Sequence, residues 1–236
     1  MMKNALDLNK LSIVGYSTEK LPSKEHLILL DKPRGKNSFA LVAALRKASL
    51  IKKIGHAGTL DPFATGVMVL LVGKSYTRLS SLFLNQDKEY LATVHLGIET
   101  DTYDCEGKTL REETRIPSLE EIEQALKHFQ GQILQLPPMF SAKKQGGKKL
   151  YELARQGIEV EREKVAITLT TELLSYAYPY LELKVSCSKG TYVRSLAHDL
   201  GNLLQTGAHL SALRRTRSGP FHIADCLPLD KALSLY

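Results

Sequence analysis

The most constraining stretch of this sequence is a glycine-rich loop that carries a single acidic residue and leads into an apolar run. Residues 55–67 read Gly-His-Ala-Gly-Thr-Leu-Asp-Pro-Phe-Ala-Thr-Gly-Val, and the apolar residues continue to position 72. An aspartate beside a proline is usually a turn residue. Here glycines at 55, 58 and 66 flank it, and glycine lets a backbone approach a ligand closely. The segment therefore makes Asp61 the first candidate for a functional carboxylate.

Length, charge and cysteine usage narrow the class of protein. The 236 residues fit one large domain or two small ones and can bury a core without disulfides or metal. A formal charge of +7 favours a polyanionic partner, because binding to phosphates releases their counterions. The three cysteines lack zinc-ligand spacing, which indicates a reduced, cytoplasmic setting. No apolar stretch has the length of a signal peptide core or a membrane helix.

Apolar runs and two-residue alternation predict strands. The run at 27–30 indicates a buried strand that ends at the Pro33 turn. Residues 89–97 and 180–187 alternate between apolar and polar side chains, as half-buried strands do.

Three-to-four-residue spacing predicts helices between these strands. Ser38 can cap a helix over about 39–50, with Phe39 on its apolar side. Ser118 begins a capping box ahead of a second helix, and a third is expected at 192–204. Because the strands and helices do not alternate regularly, the expected fold class is α+β with a mainly antiparallel sheet.

An ionised carboxylate in a partly dry cleft needs a cationic partner, or its pKa rises and it becomes neutral. Arg194 is the best candidate, because the segment 188–194 reads as a junction from strand to helix. The alternative is a solvent-facing arginine in a first helical turn, where it opposes the helix dipole slightly.

Four other residues allow two readings each. Tyr90 and Tyr192 fit core packing by pattern, and either phenol can also form a pocket wall. His56 fits a structural or surface histidine, and Leu213 fits a core strand or the apolar rim of a phosphate-binding pocket.

The segment 136–151 contains four lysines, two glycines and no acidic residue before Glu152. Such charge runs are usually solvated faces or flexible loops. Apolar Met139 and Phe140 next to the lysines suit a loop that grips RNA and becomes ordered on contact.

Two other patterns fail on spacing. Gly73-Lys74-Ser75 lacks the first glycine of a nucleotide-binding loop. The segment 102–113 partly imitates a calcium loop, but Thr102 stands at the first ligand position, where aspartate is expected.

Together these segments resemble the TruB family of pseudouridine synthases. The matching elements occur in the family's order from about residue 27 to residue 217, with Phe63 where leucine is usual. They are Leu-Leu-Asp-Lys-Pro at 29–33, the Asp61 loop, the Tyr90 strand, the lysine-rich segment, the Arg194 motif and the Leu213 segment. The resemblance implies a pseudouridine synthase fold, with flanking helices and a central RNA-binding catalytic cleft. It also implies conversion of uridine to pseudouridine at position 55 in the T-loop of tRNA.

The resemblance also implies a function for each candidate residue. Asp61 is the catalytic carboxylate, Arg194 its partner, and Tyr90 stacks on the target base and moves a proton. His56 fills the gap left by everted nucleotides. The implied substrate-binding residues are His56, Tyr192, Leu213 and Lys32; the implied RNA-binding residues are Lys143, Lys144, Lys148, Lys149, Arg214 and Arg215.

Residues 1–25 are polar and irregular and are expected to form an N-terminal arm. The resemblance implies a catalytic domain at 26–236, with an RNA-clasping insertion at 135–157. No C-terminal domain of the PUA type is expected after residue 217, because only 19 residues follow. An isomerisation needs no redox partner or group donor, so no metal or organic cofactor is expected. The expected partner is the T-arm stem-loop of tRNA. Neither a membrane nor an obligatory protein partner is expected, and the protein is expected to be a monomer.

Alternatives remain at two levels. The carboxylate can add to the uracil ring, attack the sugar carbon or assist formation of a glycal. The scaffold can also serve a pseudouridine synthase of another RNA, or a non-catalytic protein that binds or folds RNA.

Overall fold

The computed structural model describes residues 7–141 and 143–236, without the side chains of Lys144, Gln145 and Lys149. The chain divides into two compact units. The first takes the chain up to Glu89 together with Arg214–Tyr236, and the second is Tyr90–Leu213. Residues 1–6 of the predicted N-terminal arm lie outside the described residues.

The described residues form fifteen strands and seven α-helices, besides three short 3₁₀ helices. The strands are β1 (Ile13–Val14), β2 (His26–Lys32), β3 (Ile54–His56), β4 (Thr65–Val72), β5 (Lys88–Leu96), β6 (Ile98–Thr100), β7 (Thr109–Glu112), β8 (Gly131–Gln135), β9 (Lys144–Gln145), β10 (Lys148–Lys149), β11 (Val165–Ala177), β12 (Tyr180–Cys187), β13 (Ala208–Ser218), β14 (Phe221–His222) and β15 (Leu227–Pro228). The helices are α1 (Ser38–Ser49), α2 (Lys74–Thr77), α3 (Ser80–Leu84), α4 (Leu119–Leu126), α5 (Leu150–Ala154), α6 (Val193–Leu203) and α7 (Leu229–Leu233).

The sheet of the first unit is built around β2 and β4. These strands pair antiparallel over seven residue pairs, and β4 also pairs antiparallel with β3. Strands β1 and β15 each pair parallel with β2. The Arg214–Arg215 part of β13 pairs parallel with Thr65–Gly66 of β4. Every residue of β4 after Thr65 is buried, as expected for a continuous apolar run covered on both faces.

The second unit contains the antiparallel strands with the clearest alternation. Strand β11 pairs antiparallel with β12 on one side and with β8 on the other. Leu181, Leu183 and Val185 of β12 are fully buried, and Ala92 and Val94 of β5 are almost so. The predicted alternation is therefore confirmed, because one side of each strand packs into a core. With its mixed sheet and separate helices, the chain has the predicted α+β class.

The predicted helices are present, with one cap misplaced. Asn37 rather than Ser38 caps α1, its side chain accepting from the Ala40 N–H at 2.7 Å. Phe39 is 64% exposed and not part of the core, so that prediction was wrong. The capping box of Ser118 and Glu121 on α4 is confirmed. In the described part of the chain, no helix is long and apolar enough to cross a membrane.

Candidate active site

The loop that carries Asp61 connects β3 to β4 within the first unit. Its apolar members, among them Ala57, Leu60 and Phe63, are buried, while Asp61 is half-buried. The Asp61 carbonyl accepts the Ala64 N–H at 3.2 Å, which closes a turn around Pro62. The apolar side chains thus anchor the loop and leave the carboxylate partly accessible.

Two side chains from other elements bind the backbone next to Asp61. The Ser38 hydroxyl, at the start of α1, donates to the Leu60 carbonyl at 3.0 Å and accepts the Leu60 N–H at 2.9 Å. The Lys32 amine, at the end of β2, donates to the carbonyls of Pro33 at 3.0 Å and Pro62 at 3.1 Å. Lys32 is fully buried and in this arrangement binds the loop backbone, and its contact with substrate stays a prediction.

Arg215 lies beneath the same loop. Its Nε donates to the Val67 carbonyl at 2.7 Å, and its two terminal nitrogens donate to Gly58 at 3.2 Å and Thr59 at 3.4 Å. Only 1% of Arg215 is exposed. In this arrangement the guanidinium is enclosed by protein carbonyls, and the RNA contact of Arg215 stays a prediction.

Two loop glycines lie against this arginine. Gly66 has φ +105°, and a Cβ there would lie 2.3 Å from the Arg215 carbonyl oxygen. Gly58 has φ +108°, and a Cβ there would lie 3.5 Å from an Arg215 terminal nitrogen. At Gly66 the close approach of β13 leaves no room for a side chain, whereas at Gly58 the contact distance is ordinary and the positive φ favours glycine.

His56 ends β3 and is half-buried. Burial lowers the pKa of His56, and the nearby positive charge of Arg215 lowers it further. Its Nδ1 is buried and has no hydrogen-bond partner among the described residues. Both effects favour the neutral ring, and the gap-filling function of His56 stays a prediction.

Arg214 differs from its neighbour in strand β13. Its guanidinium forms a two-point interaction with the Asp31 carboxylate, at 3.2 and 2.7 Å, and donates to the Thr65 hydroxyl at 3.2 Å. Its side chain is 39% exposed. It remains a predicted RNA contact, held in a fixed orientation by Asp31.

In the second unit, Arg194 lies in the first turn of α6. Its terminal nitrogens donate to the Thr102 carbonyl at 3.0 Å and the Phe140 carbonyl at 2.8 Å, and one lies 3.4 Å from the Asp104 carboxylate. Both charged side chains are 6% exposed, which excludes the solvent-facing alternative for Arg194. Its pairing with Asp61 stays a prediction.

The ion pair of Asp104 with Arg194 was not predicted from the sequence. Its Oδ1 accepts the Thr102 hydroxyl at 2.6 Å and the Glu106 N–H at 3.0 Å, and its Oδ2 faces Arg194. The segment with calcium-like spacing therefore forms a loop whose own hydroxyl and N–H groups bind the Asp104 carboxylate. Among the described residues, no group of three or more histidine, cysteine, aspartate or glutamate side chains could hold a metal ion.

The three other candidates of this unit are Tyr90, Tyr192 and Leu213. Tyr90 and Leu213 are largely buried, and Tyr192 is half-buried. The Gln135 side chain accepts the Tyr192 N–H at 2.8 Å and donates to its carbonyl at 3.0 Å, which fixes the start of α6. The functions assigned to these residues by resemblance stay predictions.

The lysine-rich segment forms a short β hairpin followed by α5. Strands β9 and β10 pair antiparallel across Gly146 and Gly147, which both have positive φ, as tight hairpin turns require. Lys148 is exposed and Lys143 half-buried, while the side chains of Lys144 and Lys149 lie outside the described part. The Leu150 N–H donates to the Lys143 carbonyl at 2.9 Å, which ties the hairpin to a buried anchor at Leu150.

The Gly73-Lys74-Ser75 segment binds a carboxylate of its own chain. Glu25 accepts the N–H groups of Lys74 at 2.9 Å and Ser75 at 3.3 Å, and also the Ser75 hydroxyl. These bonds lower the pKa of Glu25, that of the Ser75 hydroxyl most. The donors that make this segment look like an anion-binding site therefore bind a carboxylate of the same chain.

Comparison with known proteins gives the class and the family. A model of the TruB family pseudouridylate synthase N-terminal domain matches residues 46–193, and a model of the tRNA pseudouridylate synthase B C-terminal domain matches residues 194–236. These matches place the chain among the pseudouridylate synthases, a class of isomerases. The chain belongs to the TruB family.

Named relatives and a solved structure agree with this placement. The tRNA pseudouridine synthase B of Protochlamydia amoebophila (strain UWE25) is 64% identical over 203 residues, which are 86% of this chain and 78% of the relative. That of Chlamydia pneumoniae is 57% identical over 204 residues, 86% of this chain and 87% of the relative. A chain in the crystal structure of a Cbf5–Nop10–Gar1 complex is 32% identical, with a TM-score of 0.69 over 89% of this chain. This chain spans 54% of that solved chain, about half its length.

Proposed function

We propose that this protein converts uridine to pseudouridine at position 55 in the T-loop of tRNA. Membership of the TruB family and the names of the relatives support a tRNA substrate. The observation that carries the proposal is the Asp61 loop, whose half-buried carboxylate stands on a backbone bound by Ser38 and Lys32. A rigid support of this kind is what positioned catalytic groups need.

The reaction balances without a cofactor. The bond from uracil N1 to ribose C1′ breaks, the ring rotates, and C5 bonds to C1′. The hydrogen of C5 is lost as a proton, and N1 gains one. In this proposal Asp61 is the reacting carboxylate, Arg194 keeps it ionised, and Tyr90 stacks on the base and moves a proton.

RNA binding in this proposal rests on exposed or half-exposed cations. Lys143 and Lys148 lie on the lysine-rich hairpin, and Arg214 presents a guanidinium oriented by Asp31. Tyr192 and Leu213 form the wall of the uridine pocket, and His56 occupies the gap left by the flipped nucleotide.

The decisive experiment measures turnover by the Asp61→Asn variant. The substrate is a tRNA transcript with tritium at C5 of the uridines, because forming pseudouridine releases that label. We expect the variant to bind tRNA normally and to lose at least about a thousandfold in rate, since a nucleophile is removed. Asp230→Asn, an exposed aspartate on α7, is the matched control and should keep the wild-type rate.

Mapping pseudouridine in the treated tRNA checks the site. Clear residual turnover in the Asp61→Asn variant would refute the catalytic assignment. Product at a position other than 55 would refute the T-loop assignment and leave the reaction class intact.

A further inference from the structure

Three buried side chains of the first unit donate hydrogen bonds to the backbone carbonyls around Asp61. Arg215 binds the carbonyls of Gly58 and Thr59, Ser38 binds that of Leu60, and Lys32 binds that of Pro62. The carbonyls on either side of Asp61 in the sequence therefore have donors that come from β13, α1 and β2. Of the three side chains, Arg215 reaches furthest, because it also binds Val67 beyond the loop.

The sheet register places Arg215 beneath the loop. Arg215 is opposite Gly66 in the parallel pairing of β13 with β4, just where the loop becomes a strand. The absence of a side chain at Gly66 permits this approach, since a Cβ would lie 2.3 Å from the Arg215 carbonyl oxygen. One residue of β13 thus contacts both ends of the segment 58–67.

The hydrogen bonds of Arg215 are of the kind that holds a loop backbone in place. A buried guanidinium requires acceptors for its donors, and here they are the carbonyls of Gly58, Thr59 and Val67. Removing the guanidinium would leave these carbonyls without that donor in a region closed to water. The planar fork carries its donors on three separate nitrogens, which lets it reach carbonyls at both ends of the loop, whereas an ammonium group donates from a single atom.

We propose that Arg215 is a positioning residue for the pseudouridine synthase reaction, holding residues 58–67 so that the Asp61 carboxylate meets the uridine in a reactive orientation. This inference rests on the proposed function of Asp61. It replaces the predicted phosphate contact of Arg215 with action through the loop backbone. Misplacement of a reacting group by about 1 Å can cost about a hundredfold in rate, so a rigid support has a measurable kinetic effect.

The test compares Arg215→Met with Arg46→Met. Arg46 is the matched control because it also donates to a backbone carbonyl of this unit, that of Ile54 at 2.7 Å, which is outside the Asp61 loop. The rate of tritium release is measured in single turnover at saturating tRNA, and Kd is measured over a range of salt concentrations. For Arg215→Met we expect a rate about a hundredfold lower, with Kd within about twofold of wild type. For Arg46→Met we expect the wild-type rate.

A phosphate contact predicts the opposite result. In that case Kd would rise, the log–log salt slope would fall by about 0.7 to 0.9, and the rate at saturation would not change. Either that pattern or a wild-type rate in the folded variant overturns the positioning function. Arg215→Lys keeps the charge if Arg215→Met fails to fold. It should recover part of the rate, because a single nitrogen cannot reach all three carbonyls from one position.

Hydrogen exchange separates failure of this inference from failure of the proposed function. The Leu60 N–H, bonded to Ser38, should exchange faster in Arg215→Met than in wild type or Arg46→Met. Unchanged exchange means that Arg215 does not support the loop. Faster exchange with an unchanged rate means that the loop is supported but that its geometry does not limit the reaction, which overturns the positioning function. A wild-type protein without activity on tRNA would instead refute the proposed function.

Discussion

At the scale of single residues, the ion pair between Arg194 and Asp104 shows how this chain fixes a charge below its surface. The pair is separated by 3.4 Å with both side chains 6% exposed, so the cost of removing two charges from water is large. Further hydrogen bonds offset that cost. Arg194 donates to two backbone carbonyls, and Asp104 accepts from the Thr102 hydroxyl and the Glu106 N–H. Removing one partner of such a pair typically costs about 3–5 kcal/mol, which favours a single orientation of Arg194.

Asp199 on α6 offers a pH-dependent test of the second unit. Burial raises the pKa of its carboxyl from 3.8 to about 6, and Lys164 partly opposes the rise. The folded state therefore binds this proton more tightly than the unfolded chain does. The resulting stabilisation is fully present below the unfolded pKa and is lost as the pH rises through about 6. We expect Asp199→Asn to raise Tm at pH 8, because it removes a buried charge, and to give little or no rise at pH 3.5. An equal rise at both pH values would contradict the assignment.

At the scale of residues, the sequence identifies local features, whereas contacts between residues that are distant in sequence depend on the fold. The loop of Asp61 could be recognised from its local amino-acid sequence alone. Arg215 could not be distinguished from Arg214 by sequence, because adjacent strand residues point to opposite faces of the sheet and the sequence does not show which face is covered. Phe39 follows the helical spacing, yet it is exposed, with the Arg46 guanidinium 5.7 Å from its ring centre.

At the scale of elements, periodic patterning identified those strands that pack one face into a core. The alternation of β5 and β12 was readable because every second side chain is apolar. Strand β11 was not predicted. It spans thirteen residues, its pairing with β12 shifts between Leu173 and Ser175, and threonines occupy several positions, which weakens an apolar period. The parallel pairing of β13 with β4 depends on a contact about 150 residues apart in the chain, which local spacing does not encode.

The lysine-rich hairpin allows a test with a matched charge change. Lys143→Gln combined with Lys148→Gln should weaken tRNA binding, because each lost phosphate contact lowers the log–log salt slope by about 0.7 to 0.9. The combined fall should be about 1.4 to 1.8. The control is Lys108→Gln with Lys127→Gln, which removes the same charge from two exposed lysines of the same unit. If both double variants show the same slope, the effect is one of net charge and the hairpin does not contact phosphates.

At the scale of the whole molecule, the sequence predicted the α+β class and the family, while the structure divides the chain at Glu89 and Arg214. That division could not be predicted, because β5 and β13 run across the boundaries without a linker of glycine, proline or serine residues. The boundaries between an N-terminal arm, a catalytic domain and an RNA-clasping insertion stay predictions. The net charge of +7 is a property of the whole chain, and it favours tRNA association without identifying the part of the tRNA that is bound.

Recognition confined to the T-arm is the whole-molecule prediction. Proteins usually read RNA sequence in single-stranded loops, whose bases can be splayed out and stacked on aromatic side chains. If the proposed contacts of Tyr90, Tyr192 and the lysine-rich hairpin all fall on the T-arm, an isolated T-arm stem-loop should be modified nearly as efficiently as whole tRNA.

The measurement is kcat/KM for both substrates at one salt concentration, because phosphate contacts depend on salt. A loss greater than about a hundredfold for the stem-loop, roughly 2.7 kcal/mol, would require contacts elsewhere on the tRNA. The same comparison with the Lys143→Gln and Lys148→Gln double variant would then show whether the hairpin supplies them, since its defect would be larger on whole tRNA than on the stem-loop.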